Sequence, residues 1–209
     1  MRLVQMARSI ASGLLNGDLI ALWNANSGKS IATFPIHSVH KSSYAHALAF
    51  SPDGKTLALV DAYDGTVSLW ELPAGMPRSF HGKHKGFATS VAFSPDGKFL
   101  ALGTDKMAYL FDATNGEIKA TLNDHVDRLK FSPDGKTLAC SAWPDTPGGF
   151  WNRQLKLWNV AGGKNVGTAI GVGTCGEMAF RPDGKMIAKG GGVEVTEIQL
   201  LDLPTTTAR

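Results

Sequence analysis

The chain has 209 residues, 43% of them hydrophobic and 19% charged, with a formal charge of +3 at neutral pH. Those values describe an ordinary globular protein large enough for one sizeable core. The mild basicity, with no long Lys/Arg run, gives nucleic-acid binding little support, and two cysteines, Cys140 and Cys175, do not make a disulfide framework.

In chain order, Met1 to Leu15 is interrupted by Arg2, Gln5 and Arg8, so it lacks the apolar core of a secretion signal. No apolar run approaches the roughly 20 residues a bilayer span needs. The expectation is a cytoplasmic protein without a membrane segment, in keeping with reduced thiols. Residues 1–34 read as an incomplete first unit. Leu3 to Ala7, Ser9 to Gly13, Leu19 to Trp23 and Ser30 to Phe34 are its candidate strands, and no Pro-Asp-Gly turn follows the first of them.

One phrase then recurs four times: Phe50-Ser51-Pro52-Asp53-Gly54-Lys55, Phe93-Ser94-Pro95-Asp96-Gly97-Lys98, Phe131-Ser132-Pro133-Asp134-Gly135-Lys136 and Phe180-Arg181-Pro182-Asp183-Gly184-Lys185. The spacings are 43, 38 and 49 residues, and self-similarity near 40 marks stacked supersecondary units. In each copy Phe ends a short strand, Pro pre-sets φ, Asp suits the next turn position and Gly takes φ > 0. An apolar run such as Leu57-Ala58-Leu59-Val60 follows, so the phrase is a hairpin turn.

A landmark residue closes the third strand of each unit: Trp70, Phe111, Trp158 and Leu201. The preceding residues, such as Gln154-Leu155-Lys156-Leu157, alternate polar and apolar as in a half-buried strand. Turn residues and a short fourth strand follow, as at Asn115-Gly116 and Ile118 to Leu122. Four antiparallel strands per unit predict a propeller blade.

Strand, Ser-Pro-Asp-Gly-Lys, strand, turn and Leu-Trp together resemble the WD-repeat β-propeller family. The resemblance implies an all-β fold with blades near 1–34, 35–80, 81–122, 123–170 and 171–209. About five blades, with first and last incomplete, fall short of the seven or eight usual in the family, and leave two arrangements: a closed five-bladed ring, or an open arc that is part of a larger propeller or is completed by a partner. An open arc would expose strand edges and an apolar blade face, inviting self-association.

Family resemblance also implies hydrogen-bonded tetrads of His, Ser/Thr, Asp and Trp. They fall on His40, Asp64 and Trp70 in the second blade, with Leu59 at the Ser/Thr position, and on His84, Thr104 and Asp105 in the third, with Phe111 replacing Trp. In the fourth, His125 and Trp158 match and Asn152 stands at the Asp position. These residues, with the turn pairs Asp53-Gly54, Asp96-Gly97, Asp134-Gly135 and Asp183-Gly184, are read as structural.

His37-x-x-His40 and His81-x-x-His84 lack a completing Cys or carboxylate in order, so no metal is expected. Gly171-Val172-Gly173-Thr174-Cys175-Gly176 spells a dinucleotide fingerprint, but a strand follows where the motif needs a helix, and no cofactor is expected.

The largest departure from the repeat is Ala142 to Arg153, a long loop between second and third strands carrying Trp143, Phe150, Trp151 and Arg153. Those types dominate interface hot spots. With Tyr63 in the corresponding loop of the second blade, they form the candidate partner-binding set. The resemblance implies a non-catalytic scaffold for other proteins. The alternative is a small-propeller carbohydrate-active enzyme using Asp127 and Glu177 at the starts of inner strands, as paired acid and base.

Overall fold

The computed structural model describes residues 2–6, 9–13, 19–35, 45–61, 65–78, 80, 82–142, 154–169, 177–190 and 198–203. Among these, every regular element is a strand. The first sheet holds β1 (Arg2–Met6), β2 (Ser9–Gly13), β3 (Leu19–Asn24) and β4 (Ser30–Pro35). The second holds β5 (Ala45–Phe50), β6 (Thr56–Asp61), β7 (Val67–Glu71) and β8 (Met76–Arg78). The third holds β9 (Ala88–Phe93), β10 (Phe99–Thr104), β11 (Ala108–Asp112) and β12 (Ile118–Leu122). The fourth holds β13 (Val126–Phe131), β14 (Thr137–Ala142), β15 (Gln154–Asn159) and β16 (Lys164–Ala169). The fifth has three described strands, β17 (Met178–Phe180), β18 (Met186–Lys189) and β19 (Gln199–Asp202).

Each sheet is an antiparallel meander, and in the second to fifth sheets the repeated phrase closes the first hairpin tightly. Ser51 N donates to Thr56 O at 2.8 Å and Gly54 N to Ser51 O at 2.9 Å. Ser51 Oγ donates to Asp53 Oδ1 at 2.6 Å, and that oxygen also accepts Lys55 N at 3.0 Å. Thr56 N donates to Ser51 Oγ at 2.9 Å. Ser94 with Asp96 and Ser132 with Asp134 repeat the pattern, each with the hydroxyl–carboxylate bond at 2.6 Å. Gly97 at φ 72° and Gly135 at φ 71° need the left-handed conformation that a side chain would strain.

Successive turns also lie close together. A methyl group on Gly97 would lie 3.7 Å from Pro52 Cδ, one on Gly135 3.5 Å from Pro95 Cδ, and one on Gly184 3.7 Å from Pro133 Cδ. The turns therefore rise as a staircase, each glycine facing the proline of the preceding blade with room for about one methyl group between them.

The core lies between sheets rather than inside any one of them. Ile20, Leu22 and Phe34 of the first sheet meet Leu57, Leu59 and Trp70 of the second. Val67 and Leu69 meet Leu100, Leu102 and Phe111. Leu110 and Leu122 meet Leu129, Leu138 and Cys140. Leu155 and Leu157 meet Met178 and Ile187. Innermost strands pack in chain order, β1 on β5, β5 on β9, β9 on β13 and β13 on β17. No buried cluster joins the first sheet to the fifth among the described residues, and the sheets form an open arc.

The first sheet corrects its expected incompleteness. β1 pairs directly with β2, Met6 opposite Ser9, without a Pro-Asp-Gly turn. The first blade therefore keeps its inner strand, and the missing strand falls in the fifth among the described residues.

Candidate protein-interaction face

The repeated turns occupy one end of the sheets. Loops between second and third strands, and loops joining one blade to the next, occupy the other end. Two open clefts of about 530 and 470 Å³ lie between blades at the turn end, lined by residues such as Asp112, Lys119 and Val160 in one and Pro52, Arg78 and Asp96 in the other.

At the loop end of the third blade the chain is closely stitched. Val67 N donates to Gly82 O at 3.1 Å and His84 N to Gly65 O at 2.8 Å, so residues 82–84 run beside the second blade. Lys85 N donates to Tyr109 Oη at 2.8 Å. Phe87 N donates to Asp105 Oδ1 at 2.7 Å, and Asp105 N returns a bond to Phe87 O at 3.0 Å. Buried His84 lies tilted against Tyr109, with centroids 6.4 Å apart, and Tyr109 stacks on Phe111 at 5.7 Å. Lys83, Lys85, Phe87 and Lys106 remain exposed on this framework.

The expected tetrads resolve differently in each blade. Register places Ile10 opposite Trp23, Leu57 opposite Trp70, Leu100 opposite Phe111 and Leu138 opposite Trp158. The Ser/Thr position two residues further on is then Ser12, Leu59, Leu102 and Cys140. Ser12 alone among these carries a hydroxyl, and Trp23 Nε1 donates to its Oγ at 3.1 Å. Thr104 is not the tetrad hydroxyl of the third blade. Its Oγ1 donates to Met107 O at 2.7 Å and accepts Lys106 N at 3.1 Å and Met107 N at 3.0 Å, which caps the β10–β11 hairpin.

Trp70 is buried and stacks on Phe34 at 6.2 Å. Trp158 packs into the core between the third and fourth blades, and its Nε1 finds no acceptor among the described residues. His40 and Asp64 lie outside the described residues.

The fourth blade holds an arrangement that sequence reasoning missed. Lys156 Nζ on β15 contacts Asp124 Oδ1 in the preceding loop, with the two side chains only 12% and 5% exposed. Lys156 lies opposite Cys140, whose thiol is pushed well above its usual range, by burial first and then by the Asp124 charge. That holds the sulfur as an inert, protonated core group. Tyr109 and Lys156 occupy the same place, two residues before the landmark aromatic, and both reach out to hold the loop that precedes their own blade. A polar or amphipathic residue at that position was the available signal.

The proposed catalytic carboxylates are engaged separately. Asp127 Oδ1 lies 3.9 Å from His125 Nε2, and exposed Glu177 reaches Arg128 Nε at 3.5 Å. No finding supports an acid–base pair there. Trp143, Phe150, Trp151, Arg153 and Tyr63 lie outside the described residues, as do His37, His81 and the glycine-rich stretch 171–176.

An open arc of antiparallel blades, turned by Ser-Pro-Asp-Gly hairpins and presenting stitched loops at its opposite end, is propeller architecture. The sequence pattern described as "WD domain, G-beta repeat" matches residues 28–71, 76–112 and 116–159, and the chain belongs to this WD-repeat family. It is 30% identical over 182 residues to "Periodic tryptophan protein 2" of Arabidopsis thaliana, covering 81% of this chain and 18% of that protein. The chain thus spans under a fifth of that relative's length.

Among solved structures, "Kuenenia stuttgartiensis Hydrazine Synthase" superposes with a TM-score of 0.73 at 22% identity, covering 87% of this chain and 52% of that one. A chain of "Crystal Structure of Mitotic Checkpoint Complex" superposes with a TM-score of 0.75 at 19% identity, covering 94% of this chain and 60% of that one. At such identities the likeness is one of fold.

Proposed function

We propose that this chain is a non-catalytic platform for protein–protein interaction in the cytoplasm, presenting its loop end to other proteins. Membership of the WD-repeat family supports that reading, as does a fold shared with a chain of a checkpoint complex. The observation that carries it is the stitched loop face of the third blade, where Gly65, Tyr109 and Asp105 each hold the loop that leads into that blade. A loop already ordered in the free protein loses little entropy when a partner docks.

The aromatic loop with Trp143, Phe150, Trp151 and Arg153, together with Tyr63 in the corresponding loop of the second blade, is the proposed contact surface, on residue type and on sequence position between second and third strands. The test compares proteins cross-linked to the intact chain with those cross-linked to Trp151→Ala, with melting temperature measured alongside. The proposal expects a partner lost at an unchanged melting temperature. Retention of every partner, or a large fall in melting temperature from a capping Trp151, would overturn the placement.

A further inference from the structure

The loop surface of the third blade has a chemistry of its own. Lys83 bridges to Thr66 of the second blade, and Lys83 and Lys85 flank buried His84. Both lysines therefore stand on the solvent side of this stretch, about 7 Å apart along an extended backbone. Phe87 follows at 49% exposure. The β10–β11 hairpin adds a third cation. A methyl group on Gly86 would lie 2.7 Å from Lys106 Cγ, so the Lys106 stem passes over the backbone between Lys85 and Phe87. Three lysines and a phenyl ring thus share one surface drawn from two connections.

Lys83, Lys85 and Lys106 make no ion pair among the described residues. Asp105, the acid of the same hairpin, is turned back onto the loop, its Oδ1 accepting Phe87 N at 2.7 Å. At the turn end, by contrast, Lys98, Lys119 and Arg181 lie 3.5, 2.6 and 2.6 Å from a carboxylate oxygen. The backbone under the lysines is also fixed, because Gly65 O, Tyr109 Oη and Asp105 Oδ1 hold the amides of His84, Lys85 and Phe87. Like charges gathered on a fixed frame repel one another, and an acidic partner relieves that repulsion.

We propose that this surface docks an acidic, extended segment of a partner protein, with carboxylates on the lysines and an apolar side chain on Phe87. The inference deepens the platform reading and rests on it. The spacing of Lys83 and Lys85 matches that of alternate side chains on an extended peptide. The two residue types do different work. Ammonium groups at a wet rim steer the encounter, so they act on the association rate. Phe87 and the lysine stems supply the apolar centre, so they act on dissociation.

Stopped-flow fluorescence tests it, with the intact chain and a labelled peptide of sequence Glu-Leu-Glu-Phe-Glu-Ser-Glu. Saturable binding is expected. Lys85→Glu and Lys106→Glu should each slow association about tenfold at low salt, and high salt should do the same to the parent. Phe87→Ala should speed dissociation about tenfold at an unchanged association rate. Lys29→Glu, at the turn end of the first blade, should alter neither rate. Circular dichroism and melting temperature confirm that each variant is folded.

Absence of saturable binding would overturn the proposal, and the platform reading survives that result if Trp151→Ala still loses a cross-linked partner. An equal effect of Lys29→Glu would refute it by reducing the binding to net charge. Tighter binding of a single-stranded oligonucleotide, lost with the same lysines, would overturn it in favour of a nucleic-acid backbone.

Discussion

The buried Lys156–Asp124 pair makes a sharp energetic prediction. Lys156→Met removes the ammonium but leaves a carboxylate only 5% exposed beside the fully buried Cys140. A stranded buried charge costs about 3–5 kcal/mol, against a total stability of about 5–15 kcal/mol for a domain. Asp124→Leu strands the ammonium at a similar cost. The double substitution strands neither, and should lie within about 1 kcal/mol of the parent, because an ion pair in such a place roughly balances its own desolvation. In urea, at a slope of about 2 kcal/mol per molar, each single variant should lose on the order of 2 M in midpoint, and the double variant should recover most of it. Hydrogen exchange at β14 and β15 would place the loss in the fourth blade. The reasoning fails if Lys156→Met costs under about 1 kcal/mol, as an exposed pair would, or if the double variant costs the sum of the two.

Ser94→Ala removes a fully buried hydroxyl that bonds Asp96 Oδ1 and accepts Phe99 N; it should cost about 1–3 kcal/mol by denaturation. Gly65→Ala should destabilise by more than about 1 kcal/mol, because at φ 70° its Cβ would sit 2.6 Å from His84 O. Asp53, Asp96 and Asp134 are held below the usual carboxylate range chiefly by a serine hydroxyl, and Asp183, chiefly through the Arg181 guanidinium, at about 2. A folded pKa below the unfolded one gives stability that is complete above about pH 4. It drains as pH falls through the folded values, with Asp183 protonating near 2. Carboxyl carbon shifts followed by NMR check the order, and Arg181→Ala should bring Asp183 back toward its ordinary range.

The fold was readable because its signal is local and repeated. Pro, Asp and Gly fix the turn by their own backbone limits, and β-period alternation supplies the strands between them. Loops were harder, because what holds them comes from other segments. Thr104 has the residue type of a tetrad hydroxyl, yet the register puts Leu102 there and turns Thr104 to its own hairpin. Lys156 looks like the solvent-facing half of an alternating strand, and only the loop packed over it supplies Asp124. Openness of the arc is not encoded in local pattern, because exposure of Leu200 depends on what lies beside it in space. No local pattern separates it from Leu157.

The proline–glycine staircase makes the two ends of the arc unequal substrates for change. At the turn end successive hairpins lie so close that a methyl group on each glycine would meet the proline of the preceding blade, which leaves little room for an inserted residue. At the loop end the connections vary in length: three residues separate β10 from β11, whereas eleven separate β14 from β15. Longer connections are therefore easier to accommodate between second and third strands than in the turns. An engineer adding a new recognition loop should place it between second and third strands, and should alter the turn end only by whole repeats.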